Sequence, residues 1–303
     1  MREREESIPR RGRSATLLSL LGAAVLACAT FWYVIVPYPF RLSSGDPGTT
    51  AIMEQRIREA RAVGEDLQIR HDWIGLDQVS PALLRAIVVA EDYRFREHGG
   101  VDWVSVAEEV HWTGDDEFSW RSASDLGSLA TALRYAWSNR AALRGRSTIT
   151  QQLAKNLYFG TDRSFARKAM ELVVAGRLER RLGKDRILEL YVNVAEWGPG
   201  IFGAEAAARE YFGRSARDLG LVDAAALAAT LPHPLTSNPA LAPGRMRWRQ
   251  SLILDRLAPS SGLPPTPGPL PDVEIELTDV DLGSTLLPAA GVGPVVPDSA
   301  TAR

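Results

Sequence analysis

The chain opens on a long apolar run. No charged residue occurs between Ser14 and Phe40. The 22 residues 15–36, at ~1.5 Å rise each, suffice to cross a hydrocarbon core of ~30 Å. Arg10, Arg11 and Arg13 precede the run, which by the positive-inside rule keeps the N-terminus cytoplasmic and exports the chain beyond Arg41. Trp32, Tyr33 and Tyr38 stand where an interfacial aromatic belt belongs. A cleaved signal peptide is the alternative, since Ala27-Cys28-Ala29 has the A-x-A form and Val25 to Cys28 weakly resembles a lipoprotein box. The apolar run continues to Val36, past the usual length of a signal core, which favours an uncleaved anchor.

From residue 41 to 258 the pattern changes to helical. Apolar residues recur at three- and four-residue spacing over 150–158, 164–182, 185–192, 203–211 and 222–230. Ser80-Pro81 reads as an N-cap and first helical residue opening a helix over 82–90. Gly160, Gly183 and Gly213 sit where C-terminal caps belong. Strand-like alternation is scarce and no internal repeat is visible, so the expected fold class is mainly α. The stretch 259–303 differs again. It holds nine of the 19 prolines, six acidic residues and one basic residue, and reads as a linker or disordered tail with room for one short strand over 272–282.

The composition, 45% apolar and 24% charged in 303 residues, excludes collagen-like, coiled-coil and wholly disordered chains and leaves room for one large catalytic domain. The net charge of −2 argues against non-specific nucleic-acid binding, and the expectation is no nucleic-acid partner. That −2 combines a tail of −5 with a remainder of +3. A single cysteine, Cys28, excludes an internal disulfide framework and a Cys-rich zinc site, and four histidines without H-E-x-x-H spacing argue against a His-based metal site.

Three segments carry candidate chemistry. Glu91 follows a nearly apolar helical turn, where partial desolvation raises a carboxyl pKa toward that of a general acid or base. On this segment alone, solvated carboxylates at a helix end explain Glu91 and Asp92 better. Gly145 to Asn156 sets hydroxyls (Ser147, Thr148, Thr150) and the amides of Gln151 and Gln152 at a helix start, a site for an anionic or sugar ligand. An ordinary capped helix leaves the doubled Gln unexplained. Arg167 and Lys168 precede Glu171 by four and three residues on one helix face, as intrahelical pairing worth ~0.2–0.5 kcal/mol per pair or as a second catalytic carboxylate beside a phosphate site. From Arg144 to Glu189 there are eleven basic and five acidic residues, a local +6 that suits a diphosphate-bearing substrate and that solvated charge also explains.

In this order the segments resemble the peptidoglycan glycosyltransferases, glycosyltransferase family 51. Glu91-Asp92-x-x-Phe95-x-x-His98-x-Gly100 is similar to the family's first motif, Gly145 to Asn156 to its second, and Arg167-Lys168-x-x-Glu171 to its third. Lys184-x-x-Ile187-Leu188-Glu189-x-Tyr191-x-Asn193 resembles the fourth, and Gly203 to Gly213 together with 224–232 the fifth. The resemblance runs from about Trp73 to Leu257. Glu196-Trp197-Gly198-x-Gly200 and the lack of a second domain resemble the monofunctional, membrane-anchored branch, and no S-x-x-K or K-T-G of a penicillin-binding transpeptidase is present. Two departures stand out. Arg146 replaces a usual Gly, and the chain between Asp102 and Gly145 is longer than usual, around an acidic stretch at 108–126 that suggests a flap near the membrane or substrate groove.

The resemblance implies a lysozyme-like helical lobe with a smaller membrane-associated jaw. The implied division is a cytoplasmic N-terminus (1–14), a transmembrane helix (15–36), a membrane-proximal jaw or linker (37–72), the glycosyltransferase domain (73–258) and the tail (259–303). Residues 130–137 are expected in the jaw, with the core as alternative. The implied reaction joins a glycan on undecaprenyl diphosphate to lipid II, in the inner membrane with the catalytic domain periplasmic. Glu91 is implied as general base and Glu171 as a second carboxylate that holds a metal or orients the sugar diphosphate. Lys155 and Arg163 would hold the diphosphate with support from Arg167 and Lys168, and Ser147, Gln151 and Gln152 would touch substrate. A divalent cation, Mg²⁺ or Mn²⁺, is implied as cofactor, and cell-division or cell-wall synthesis proteins are candidate partners. A lytic hydrolase and a non-catalytic scaffold that binds lipid II are the competing readings.

Overall fold

In the computed structural model, residues 19–27, 30, 34, 37, 39, 41–112, 122–138, 147–161 and 164–257 are described. The chain divides into two units, Met1–Pro265 and Thr266–Arg303, and all described residues lie in the first. The expected tail and its strand, most of the expected membrane span, Gly145, Arg146, Arg163 and most of the 108–126 stretch lie outside the described residues. Residues 19–27 are helical and exposed. Among the described residues no helix is long and apolar enough to cross a membrane.

The fold is mainly α, as the periodicity predicts. Its helices are α1 (Ala51–Ala62), α2 (Pro81–Glu91), α3 (Trp103–Glu109), α4 (Ala123–Ser138), α5 (Ile149–Tyr158), α6 (Phe165–Arg181), α7 (Lys184–Val194), α8 (Ala204–Phe212), α9 (Leu221–Thr230) and α10 (Gly244–Leu257). A small sheet of β1 (Arg70–His71), β2 (Glu196–Gly198) and β3 (Ile201–Phe202) has the order β1-β3-β2, with β1 parallel and β2 antiparallel to β3. Two- and three-residue strands carry too little alternation to be read from sequence.

Side-chain caps start the helices. Ser80 Oγ accepts from Ala82 N, Thr148 Oγ1 from Gln151 N and Ser164 Oγ from Arg167 N, each satisfying an orphan donor of a first turn. Gly213 closes α8 in the left-handed conformation at φ 63°, as predicted. Gly183 departs from its expected role. Its φ is −73°, Leu182 is already extended after α6, and Gly183 becomes the residue that opens α7.

The core forms around α7, whose Ile187, Leu188, Leu190, Tyr191, Val192 and Val194 are buried. α5 packs on α6 and α7, and the alanine-rich α9 packs on α2 and α10. The five alanines of 224–229, all buried as is Leu227 among them, permit that close approach. α1, which the sequence places in the membrane-proximal stretch, packs against α5.

Asn193, with no exposed surface, ties α7 to the strand entry. Its Oδ1 accepts from Ile74 N at 3.0 Å, and its Nδ2 donates to Ile74 O and Glu189 O at 2.8 Å each. Asn193→Ala strands those backbone groups away from water and is expected to lower the unfolding free energy by about 2–4 kcal/mol. Denaturant titration measures this, and a loss below about 0.5 kcal/mol would contradict the role given to the amide.

Candidate active site

Glu91 is the last residue of α2, and its side chain is 9% exposed. Both oxygens are engaged. Oε1 pairs with Arg249 Nη2 at 2.6 Å, and Oε2 accepts from Gln152 Nε2 at 2.8 Å. Gln152 is oriented by accepting at Oε1 from the Tyr191 hydroxyl at 2.9 Å, and its Nε2 also donates to Ser147 O at 3.1 Å. Burial pushes the Glu91 carboxyl above its ordinary range, against the opposing pull of Arg249, Gln152 and Lys155. Burial also raises the Tyr191 hydroxyl well above its ordinary value, so it remains a donor to Gln152.

The doubled glutamine is now explained. Adjacent helical residues point about 100° apart, so Gln152 reaches Glu91 while Gln151 reaches a different set of partners. Gln151 Nε2 donates to Gly100 O at 3.0 Å, and its Oε1 accepts from Lys168 Nζ at 2.9 Å. Lys168 Nζ also donates to Ser147 Oγ at 2.7 Å and lies 3.3 Å from Glu171 Oε2. Arg167 Nη1 meets Glu171 Oε1 at 2.7 Å and Gly160 O at 3.2 Å. The predicted intrahelical face of α6 therefore exists, and Lys168 also ties it to α5 and Ser147.

Lys155 differs from these. Among the described residues its ammonium has neither a hydrogen bond nor an ion pair. Burial lowers its pKa, the charges of Glu171, Glu196 and Glu91 raise it, and Arg167 adds to the lowering. It is thus a cation in the field of three carboxylates with no partner of its own among the described residues. The structure brings together Glu91 with Gln152, and Ser147, Gln151, Arg167 and Lys168 with Glu171, while Lys155 feels both carboxylates. Among the described residues no group of three His, Cys, Asp or Glu side chains could hold a metal ion, and both Glu171 oxygens are already shared by cations.

Residues beyond the predicted set complete the site. Asp92 Oδ1 meets His98 Nε2 at 2.8 Å, and Asp92 Oδ2 accepts from Ile149 N, the first turn of α5, at 3.0 Å. His98 Nδ1 accepts from Gly100 N, which puts the ring proton on Nε2, facing Asp92. Gly100 O accepts from Thr148 Oγ1 at 2.7 Å, so the first and second motifs are bonded to each other. Gly100 has φ +97°, and a Cβ there would lie 3.2 Å from Glu179 Cγ. Asp92 and His98 stand in the quoted motif, so the signal was present without the role. Arg249 gave no local signal, because its partner lies 158 residues away.

A model of the Transglycosylase family matches residues 58–113 and 105–258. A biosynthetic peptidoglycan transglycosylase of Bordetella pertussis (strain Tohama I) is 41% identical over 221 residues, 73% of this chain and 82% of that protein. One of Bordetella avium is 36% identical over 247 residues, 82% and 93% of the two chains. One of Thiobacillus denitrificans is 40% identical over 189 residues, 62% and 72%.

The buried carboxylate has a consequence for stability. Because its folded pKa lies above the unfolded value, native protein holds this proton more tightly than the unfolded chain. The contribution is full below the ordinary carboxylate range and is lost as pH rises through the folded value. Glu91→Gln mimics the protonated form. It is expected to melt with the parent near about pH 4 and above it near about pH 8. Calorimetry at the two pH values checks this, and a lower midpoint for the variant at the higher pH would show that the ion pair outweighs burial.

Proposed function

The chain belongs to the transglycosylase family, and from that membership we propose that it is a peptidoglycan glycosyltransferase that polymerises lipid II into β-1,4-linked glycan. The observation that carries this reading is a shielded carboxylate, Glu91, in the field of Lys155 on α5, a cation whose ammonium has no partner among the described residues. An acceptor hydroxyl needs a base and a departing diphosphate needs positive charge.

In this reading the 4-hydroxyl of the acceptor GlcNAc gives its proton to Glu91 and attacks C1 of the donor MurNAc. The bond from C1 to the diphosphate oxygen breaks, its electron pair leaves with undecaprenyl diphosphate, and the anomeric centre inverts. Arg249 and Gln152 favour the ionised form of Glu91 and aim it, against the burial that opposes the charge. Lys155, with Arg163 and with Arg167 and Lys168 beside Glu171, takes up the negative charge that grows on the leaving group. Ser147 and Gln151, already bonded to Lys168, present polar atoms to the sugar diphosphate. The implied Mg²⁺ or Mn²⁺ fits these residues poorly: Glu171 is the one carboxylate assigned to it and already carries two cations.

The prenyl chain of such a substrate stays in a bilayer. Residues 15–36 therefore serve as a single-pass inner-membrane anchor that raises the effective substrate concentration at a periplasmic catalytic domain. Trp103 (70% exposed) and Val106 on α3, Leu126 on α4 and Phe165 (90% exposed) at the start of α6 supply apolar surface for a membrane-facing jaw beside a lysozyme-like lobe. With no S-x-x-K or K-T-G in the sequence, no transpeptidase activity is expected.

Purified protein given lipid II is expected to build polymer, and Glu91→Gln to slow that by ~10²–10⁴ while remaining folded by calorimetry. Near-parental polymerisation by the variant would remove Glu91 as the base. Soluble muropeptides released from finished cell wall, with no polymer from lipid II, would assign the protein to hydrolysis.

A further inference from the structure

Glu179, near the end of α6, is a shielded carboxylate that the proposed reaction leaves unused. Its side chain is 10% exposed. One oxygen, Oε1, takes two donors. The Thr150 hydroxyl of α5 donates to it at 2.5 Å, and Lys184 Nζ of α7 donates to it at 2.7 Å. Thr150 has no exposed surface. Its hydroxyl crosses to α6 instead of serving its own helix, whose cap Thr148 already supplies. Lys184 Nζ also donates to His98 O at 2.6 Å and lies 4.4 Å from the centre of the Phe95 ring.

These contacts close a ring. His98 Nε2 meets Asp92 Oδ1 at 2.8 Å, and Asp92 Oδ2 accepts from the amide of Ile149, the residue before Thr150, at 3.0 Å. The ring therefore runs from Glu179 through Lys184, His98, Asp92 and Ile149 to Thr150 and back. It reaches the site at two points. Asp92 directly follows Glu91. Thr150 lies two residues before Gln152, in the same turn, where Gln152 N donates to Thr148 O at 2.9 Å. The turn that Glu179 holds is thus the turn that aims Gln152 Nε2 at Glu91 Oε2. A helical side chain takes its direction from its turn, and a hydrogen bond weakens steeply as its donor swings off line.

We propose that Glu179 is a positioning residue for Glu91: through Thr150 and Lys184 it fixes the first turn of α5 against residues 92–100, and so holds Gln152 on the Glu91 carboxylate. Its bearing on catalysis rests on reading Glu91 as the base, whereas the positioning is a property of the folded protein. Charge and placement have opposite signs here. Taking a negative charge from Glu179 would by itself help Glu91 to ionise and lower its pKa. Losing the Gln152 bond removes a group that favours the ionised form and raises the pKa.

The test titrates Glu91 in full-length protein carrying 13C-carboxyl glutamate, by NMR between about pH 4 and pH 9, with the resonance assigned by its loss in Glu91→Gln. Glu91 faces Arg249 of α10, Lys155 and Gln152 of α5 and Tyr191 of α7, and none of these is altered. Glu179→Gln is expected to raise the Glu91 midpoint by roughly half a pH unit or more. Thr150→Val keeps every charge and is expected to raise it too, and it serves alone if the Gln variant does not fold. An unchanged or lowered midpoint in either variant, once calorimetry shows it folded, overturns the proposal. A second arm follows polymerisation of lipid II, whose rate profile is expected to move its acid limb upward with the midpoint. A raised midpoint with an unmoved limb would remove Glu91 as the base and leave the positioning role standing.

Discussion

In the proposed role of general base, Glu91 has to be ionised to accept a proton and shielded from water to keep that proton transfer local, and these demands oppose each other. Leaving water costs a carboxylate several kcal/mol even after relaxation. Two charge-assisted hydrogen bonds, at about 1.5–3 kcal/mol each, offset much of that cost. The donors come from α5 through Gln152 and from α10 through Arg249, and α7 orients Gln152 through Tyr191. Removing any of these helices leaves the carboxyl either neutral or flooded. The domain is therefore built around a charge that its own burial disfavours.

The same compromise repeats across the site and gives it its sign. Glu91 pairs with Arg249, Glu171 with Arg167 and Glu196 with Arg56, so three buried negative charges are cancelled locally. Lys155 is left over, and Lys168, 42% exposed, is bonded to polar groups as well as to Glu171. The surplus is positive and concentrated on α5 and α6. An anion entering this region meets lysine ammonium groups that a bound phosphate oxygen can claim without breaking an arginine fork.

Legibility in the sequence divides along contact distance. Caps, helix periods and the intrahelical trio of Arg167, Lys168 and Glu171 depend on neighbours within about one turn, and these are legible. So is the order of five motifs, because each is a local string. Arg249 and Arg56 are not legible, since each meets its carboxylate across more than a hundred residues and neither leaves a local period. α10 itself is hidden because its run, Arg245 to Arg249 with Met246 and Trp248 between, alternates charge too closely to show a clear apolar face. Gly183 is misread for a related reason. Glycine is common on both sides of a helix break, and only the backbone angle shows which helix it serves.

The long connection between the first two motifs is tolerated because of how they are joined. Their relative placement is held by direct bonds: Asp92 to Ile149 N, and Gly100 O to Thr148 and Gln151. The chain between Asp102 and Ser147 is not needed to set that register. Lengthening a flexible connection costs only about 0.6 kcal/mol per doubling, which is within what one net hydrogen bond contributes. Three such bonds can therefore absorb an insertion there with the site intact. The extra acidic stretch is then compatible with the same chemistry, provided that Asp92, Gly100 and the first turn of α5 keep their contacts.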